Sequence, residues 1–195
     1  DIPYEHEIIV AAPDEGTKQI VEGYAKKYKQ IRYFKDPGKG KSYALNLIFK
    51  EVKNNILILT DGDVIVSDNA VSEIIKTFND PIIGVITGRI VSANPKDTQF
   101  GYWSHLLVDA GAHRIRKEAF AEGKFIECSG YLFAFRNNVI KQIPLDVAED
   151  TYIPYIFWQK GYKIGYVENA LVYVKYPTNF VDWMEQRVRS SKAHE

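Results

Sequence analysis

Two carboxylates one residue apart, Asp61 and Asp63, leave the end of a continuous apolar run, Ile56-Leu57-Ile58-Leu59-Thr60. Hard oxygen donors at that spacing suit Mg2+ or Mn2+ bridging a diphosphate. Gly62 between them removes side-chain bulk where phosphates must approach. The spacing is unspecific by itself, because a D-x-D arises by chance in many chains of this length, and a solvated turn is the plain alternative. Its position directly after an apolar strand favours function, since binding residues concentrate on loops held by rigid elements.

Three further groups could do chemistry. Gly38-Lys39-Gly40-Lys41-Ser42 is a basic, glycine-rich loop. It is not a Walker A motif, because the position that must be glycine is Lys35. Such a loop opening a helix still attracts phosphate through backbone N–H groups and lysine charge; the alternative is a solvated connection. Glu149-Asp150 stand where a helix should start, and acids there meet the helix dipole favourably whatever else they do. A carboxylate within reach of an acceptor hydroxyl can also take its proton. Gln186-Arg187-Val188-Arg189 carry two guanidiniums suited to a diphosphate, on what is otherwise an ordinary solvated helix. His194 has a metal-ligating side chain but stands in a terminus. Cys128 is the single cysteine; it excludes an intrachain disulfide, suits a reducing compartment and reads as a small buried side chain.

The elements that must position these groups follow from periodicity. Glu7 to Ala12 reads as a buried strand. Pro13-Asp14-Glu15-Gly16 reads as a turn, with Thr17 as cap of a helix bearing Ile20, Val21, Tyr24 and Ala25. Ile31 to Phe34 is a second strand, and Ser42 is expected to cap a helix with Leu45, Ile48, Phe49 and Val52 on its apolar face. Ile56 to Thr60 is the third strand. Helices are expected over Ala70 to Phe78, Phe100 to Ala119, Glu149 to Trp158 and Asp182 to Arg189. Strands are expected over Ile83 to Ile90, Tyr131 to Phe135, Tyr162 to Val167 and Ala170 to Val174. The alternation in the first half predicts an α/β fold with a mostly parallel sheet flanked by helices and a smaller antiparallel part in the C-terminal half. Ligands in such sheets sit beyond the carboxyl ends of the strands.

With 195 residues, 46% hydrophobic, the chain suits a single domain. Lys+Arg and Asp+Glu both number 25, so global charge gives no argument for nucleic acid or an anionic membrane surface. No run approaches the roughly 18 apolar residues of a bilayer span, and the polar first residues are no signal peptide. A membrane segment outside these residues stays compatible with the sequence.

In order and spacing, these segments resemble family 2 glycosyltransferases of the GT-A fold. The resemblance rests on Glu7-Ile8-Ile9-Val10, Gly40-Lys41-Ser42-Tyr43-Ala44-Leu45-Asn46, Ile56 to Asp63, Cys128-Ser129-Gly130 with Arg136, Glu149-Asp150, and Gln186-Arg187-Val188-Arg189. It implies a GT-A-like domain over residues 1–195, with 1–63 binding the nucleotide sugar and 64–195 the acceptor. Asp63 would coordinate Mn2+ or Mg2+, and Asp61 the donor or the metal. Lys41 would lie by the nucleotide, with Gly130 and Glu149 among the substrate-binding residues. Asp150 would be the catalytic base, and Gln186, Arg187 and Arg189 would face the diphosphate. The implied reaction is inverting transfer of a sugar from a UDP- or GDP-linked donor to a hydroxyl of a glycan, lipid or other acceptor, as in polysaccharide biosynthesis. The implied setting is the cytoplasm or the cytoplasmic face of a membrane.

The chain departs from the family pattern in three places. About 30 residues that form the usual first strand and helix are not seen, so the chain reads as a fragment of a longer protein. Ala11-Ala12 stand where an aspartate pair commonly reads the base, with Asp14 as the nearest substitute. Ser190 stands where the arginine motif usually ends in Trp. Two other readings follow: a non-catalytic or truncated GT-A-like module, and a haloacid-dehalogenase-like phosphatase with Asp61 as nucleophile. The second would need its later acidic pair to end an apolar strand.

Overall fold

A computed structural model describes residues 2–192, with side chains through Arg189. His194 and the Ser190 side chain lie outside the described residues. The chain divides into two compact units: Asp1–Asn54 with Lys141–Asp146, and Asn55–Ile140 with the chain from Val147 onward.

The first unit alternates β1 (Ile8–Ala12), α1 (Glu15–Lys27), β2 (Ile31–Lys35) and α2 (Lys41–Ile48). β1 and β2 pair in parallel, with Ile8 opposite Ile31, as a helical crossover requires. Neither helix uses the hydroxyl cap expected of it. Asp14 caps α1 by accepting the Thr17 N–H at 2.8 Å, and these hydrogen bonds hold its carboxyl below the usual range. The acid precedes the hydroxyl in the chain and is at least as good a cap. At α2 the cap is Gly40, with φ 95° and ψ 158°, a conformation glycine adopts without steric cost. Ser42 is therefore buried inside the first turn. Buried Asn46 bonds Ile143 twice, donating to its carbonyl and accepting from its N–H, each at 2.7 Å. That pairing fastens Lys141–Asp146 into this unit.

The second unit is a five-stranded sheet in the order β3-β6-β5-β7-β4: β3 (Ile56–Thr60), β4 (Ile65–Val66), β5 (Ile83–Ser92), β6 (Leu132–Arg136) and β7 (Lys163–Val174). The α/β expectation holds, but antiparallel pairing is more widely spread than expected. β3 itself runs antiparallel to β6, β5 antiparallel to β6, and β4 antiparallel to β7, while the long β5–β7 ladder is parallel. β5 is buried along most of its length, because it is covered on both faces.

Two expected strands, 162–167 and 170–174, are one. β7 continues across a register irregularity in which Gly88 faces Val167 and the next residue, Arg89, faces Leu171. Glycine makes this possible: a Cβ at position 88 would lie 2.7 Å from the Ala170 carbonyl oxygen. The helix expected over 100–119 is α4 (Gln99–His105), a π-helical segment (Leu106–His113) and α5 (Arg114–Ala121) in succession. α3 (Ala70–Thr77), α6 (Glu149–Gln159) and α7 (Phe180–Lys192) complete the unit. Ile74, Ile86, Leu132, Ala134 and Val172 form its buried centre.

This topology gathers chain ends. β3, β5 and β7 run the same way, so their carboxyl ends share one edge of the sheet. The starts of the oppositely running β4 and β6 lie at that edge too.

Candidate functional site

A cleft of about 400 Å3 opens at this edge, entirely within the second unit. Each side comes from a different element. Asp61 and Asp63 form the turn from β3 to β4, and Ser129, Gly130 and Tyr131 lead into β6. Ala148, Asp150 and Thr151 start α6, Val174 and Lys175 end β7, and Gln186 and Arg189 come from α7. Acids thus stand on two sides of the cleft and cations on a third.

Asp150 is held by the glycine opposite. Its Oδ2 accepts the Gly130 N–H at 2.8 Å, and a Cβ on Gly130 would sit 3.1 Å from that oxygen. Only a residue without a side chain leaves the carboxylate in this position unforced. The segment holding Gly130 is itself tied to the sheet, because Ser129 N–H donates to Thr87 Oγ1 at 3.1 Å. On the far side, Thr60 Oγ1 donates to the Tyr131 carbonyl at 2.8 Å, joining the end of β3 to the start of β6. Burial is the main influence raising the Tyr131 phenol pKa. Asp61 and Asp63 add to it, and Arg187 and Arg189 oppose it.

α7 explains why its two arginines differ. Asn179 starts the helix, its Oδ1 accepting the Asp182 N–H at 3.0 Å. Trp183 is buried and packs with Phe100 and Trp103. Arg187, one turn later, lies over the Trp183 ring at 5.4 Å and donates to Gln186 Oε1 at 3.0 Å. Gln186 and Arg189, three residues apart, share the face that looks into the cleft.

Of the residues singled out from the sequence, the cleft therefore brings together Asp61, Asp63, Gly130, Asp150, Gln186 and Arg189. Glu149 is buried beside Gly130 and Arg187 is turned toward Trp183, so neither lines it. Lys41 is the exposed first residue of α2, in the other unit. Asp14, the nearest substitute for a base-reading aspartate, serves as a helix cap. Tyr131, Thr151 and Lys175 line the cleft without having been singled out. For Lys175 a signal existed, a cation directly after an apolar strand, at the strand end where ligands collect.

The donor set bears on a metal. No three His, Cys, Asp or Glu side chains converge among the described residues. Asp61 and Asp63 alone would supply two hard oxygens at the cleft. Octahedral Mg2+ or Mn2+ would need its other ligands from diphosphate and water, which is how such ions bind with nucleotides. The residues fit a metal that arrives with its ligand.

The family model "Glycosyl transferase family 2" matches residues 2–143. The chain belongs to glycosyl transferase family 2. The match contains Asp61, Asp63 and Gly130 and stops before Asp150. Two relatives align over 97% of the chain and so extend further. An N-acetylglucosaminyltransferase of Azorhizobium caulinodans is 20% identical, with 52% of its length covered. The probable glycosyltransferase YdaM of Bacillus subtilis strain 168 is 26% identical, with 48% covered. This family 2 chain thus spans about half the length of the curated relatives it matches. Among solved structures, the mannosyltransferase PcManGT of Pyrobaculum calidifontis, in complex with GDP-Man and Mn2+, superposes with a TM-score of 0.69 at 20% identity. It covers 96% of this chain, and this chain covers 52% of it. GalNAc-T7 with UDP, GalNAc and Mn2+ superposes at 0.60 and 20% identity, over 95% of this chain and 42% of that one. The fold is GT-A. The phosphatase reading falls with this assignment, and with α6, since Glu149-Asp150 open a helix rather than end a strand. No helix among the described residues is long and apolar enough to cross a membrane.

Proposed function

We propose that the cleft transfers a sugar from a nucleoside-diphosphate donor to an acceptor hydroxyl with inversion at the anomeric carbon. The observation that carries this reading is the opposition, within one cleft, of the Asp61/Asp63 pair, a glycine-held Asp150 and the Gln186/Arg189 face. The neighbours solved with GDP-Man or UDP and Mn2+ support it by fold.

Asp61 and Asp63 would hold the divalent ion, Mn2+ or Mg2+, which when bound supplies positive charge to the diphosphate. Gln186 and Arg189 donate hydrogen bonds to the departing phosphate oxygens, where negative charge grows. Asp150 takes the proton of the acceptor hydroxyl as its oxygen bonds to the anomeric carbon. The bond from that carbon to the diphosphate oxygen breaks with its electron pair, and the nucleoside diphosphate leaves. Gly130 fixes one Asp150 oxygen through its N–H. Glu149 and Arg187 support the residues beside them. The acceptor is a glycan, a lipid or another hydroxyl compound, and the setting is the cytoplasm or the cytoplasmic face of a membrane, where the whole protein can be attached.

Calorimetric titration with UDP and with GDP, with and without Mn2+, tests the reading. Metal-dependent binding that Asp63→Ala abolishes supports it. Donor turnover that persists in Asp150→Asn would sink the base assignment. Binding without any Asp150-dependent transfer or donor hydrolysis would favour a non-catalytic module.

A further inference from the structure

Lys175 stands in the cleft without a role in the reaction just described. It follows the last residue of β7, and its backbone is fixed on both sides. Val174 accepts the Ala93 N–H at 2.9 Å. Tyr176 is buried, with its N–H donating to Asn94 Oδ1 at 2.8 Å and its carbonyl accepting from Asn94 Nδ2 at 2.9 Å. The side chain between them is exposed and lines the cleft. Among the described residues it has no ion-pair partner, unlike Lys18, Lys76, Lys117 and Lys124.

Strand register says which part of the cleft it reaches. β4 pairs antiparallel with β7, Ile65 opposite Tyr173 and Val66 opposite Val172. Asp63 stands two residues before β4 and Lys175 one residue after β7, so both lie just beyond the paired segments at that end of the sheet, and both line the cleft. The two are not within ion-pair distance, so the ammonium is not neutralised by Asp63. An exposed lysine at a strand end is most often only solvated, but this one is held by a clamped backbone in the cleft that Asp61 and Asp63 also line.

We infer that Lys175 is a second cation for the donor diphosphate, lining the same cleft as Arg189. This rests on the donor-site reading above. An ammonium there attracts phosphate oxygens and repels a divalent ion bound near Asp63. Two consequences follow. Nucleoside diphosphate keeps part of its affinity when metal is removed, and metal without nucleotide binds weakly.

The test titrates UDP and GDP into wild type, Lys175→Met and Lys175→Arg, in Mn2+ and in EDTA. Circular dichroism checks the fold of each variant. Wild type should bind in EDTA about tenfold or more weakly than in Mn2+, yet measurably. Lys175→Met should lose about a further tenfold in EDTA and only a few-fold in Mn2+, because one charge-assisted contact is removed. Lys175→Arg should retain the metal-free binding. Mn2+ alone, followed by its paramagnetic resonance signal, should bind Lys175→Met at least as tightly as wild type. Equal metal-free affinity in wild type and Lys175→Met overturns the inference while leaving the donor site intact. So does wild-type binding that vanishes in EDTA. Absence of UDP and GDP binding by wild type even with Mn2+ overturns the donor-site reading, and this inference with it.

Discussion

Two acidic pairs stand within one unit and meet different fates. Asp61 and Asp63, separated by a glycine, lie on the turn after β3 and both line the cleft. Glu149 and Asp150, adjacent, start α6; one is buried and only the other lines the cleft. The backbone decides this. On the turn, with only Gly62 between them, both carboxylates reach the same cleft, so both can serve one ion. On a helix, neighbours diverge by about 100°, so the pair cannot act as a unit and its members take separate jobs. The first pair has the geometry of a ligand site. The second has the geometry of one positioned acid and one structural acid.

The sharpest way to break that comparison is Asp150→Asn. The amide still presents an oxygen to the Gly130 N–H but cannot accept the acceptor's proton. Transfer should fall by about 10²–10⁴, while UDP or GDP binding in Mn2+ stays within about twofold. Asp63→Ala should do the reverse: nucleotide affinity in Mn2+ should fall to the level seen in EDTA, measured by the same calorimetry. If both variants lose binding equally, the two acids do not have the separate roles assigned to them.

Gly130→Ala tests how Asp150 is held. The added methyl would come within 3.1 Å of Asp150 Oδ2, so the carboxylate must move by a few tenths of an ångström. Transfer should drop by roughly 10- to 100-fold, with binding of the nucleoside diphosphate little changed. Unchanged transfer would mean that the acid need not be so finely placed. Glu149→Gln probes the buried partner. It should cost about 1–3 kcal/mol of stability, read as a lower thermal midpoint, and leave nucleotide affinity alone.

How far the sequence made this visible differs in the same way between the two pairs. The Asp61-Gly62-Asp63 turn was legible because an apolar run points straight at it, and Asp150 because the family order implied it. What was not legible depends on contacts between residues far apart in the chain. Arg187 and Arg189 look alike in sequence, and only the burial of Trp183 turns one of them away. Lys175 acquires its place from the β4–β7 register, which no local pattern announces. The capping errors at Thr17 and Ser42 are local: Asp14 and Gly40 compete for the same helix ends and win. The single β7 was hidden because the polar Glu168-Asn169 separate two apolar runs, whereas Gly88 allows residues 168–170 to be accommodated as a bulge.

The smallest expected effect lies outside the cleft and serves as a control for it. His113 Nδ1 and Tyr166 Oη are 2.7 Å apart. The phenol pKa is pushed up to about 12, mainly by burial, so it remains a donor and a neutral imidazole accepts from it. Burial first, and then the charge of Arg89, hold the His113 pKa below its ordinary value; Lys117 acts in the same sense, while Glu168 and Asp109 oppose. A histidine with a lowered folded pKa binds fewer protons when native than when unfolded. Its contribution to stability is therefore intact above its unfolded pKa of about 6.5 and is lost as pH falls below it. Between pH 7 and pH 5 the thermal midpoint of wild type should drop further than that of His113→Gln. Equal drops would remove His113 as the source. A parallel change in nucleotide affinity would show that this cluster, and not the acidic pairs alone, governs the cleft.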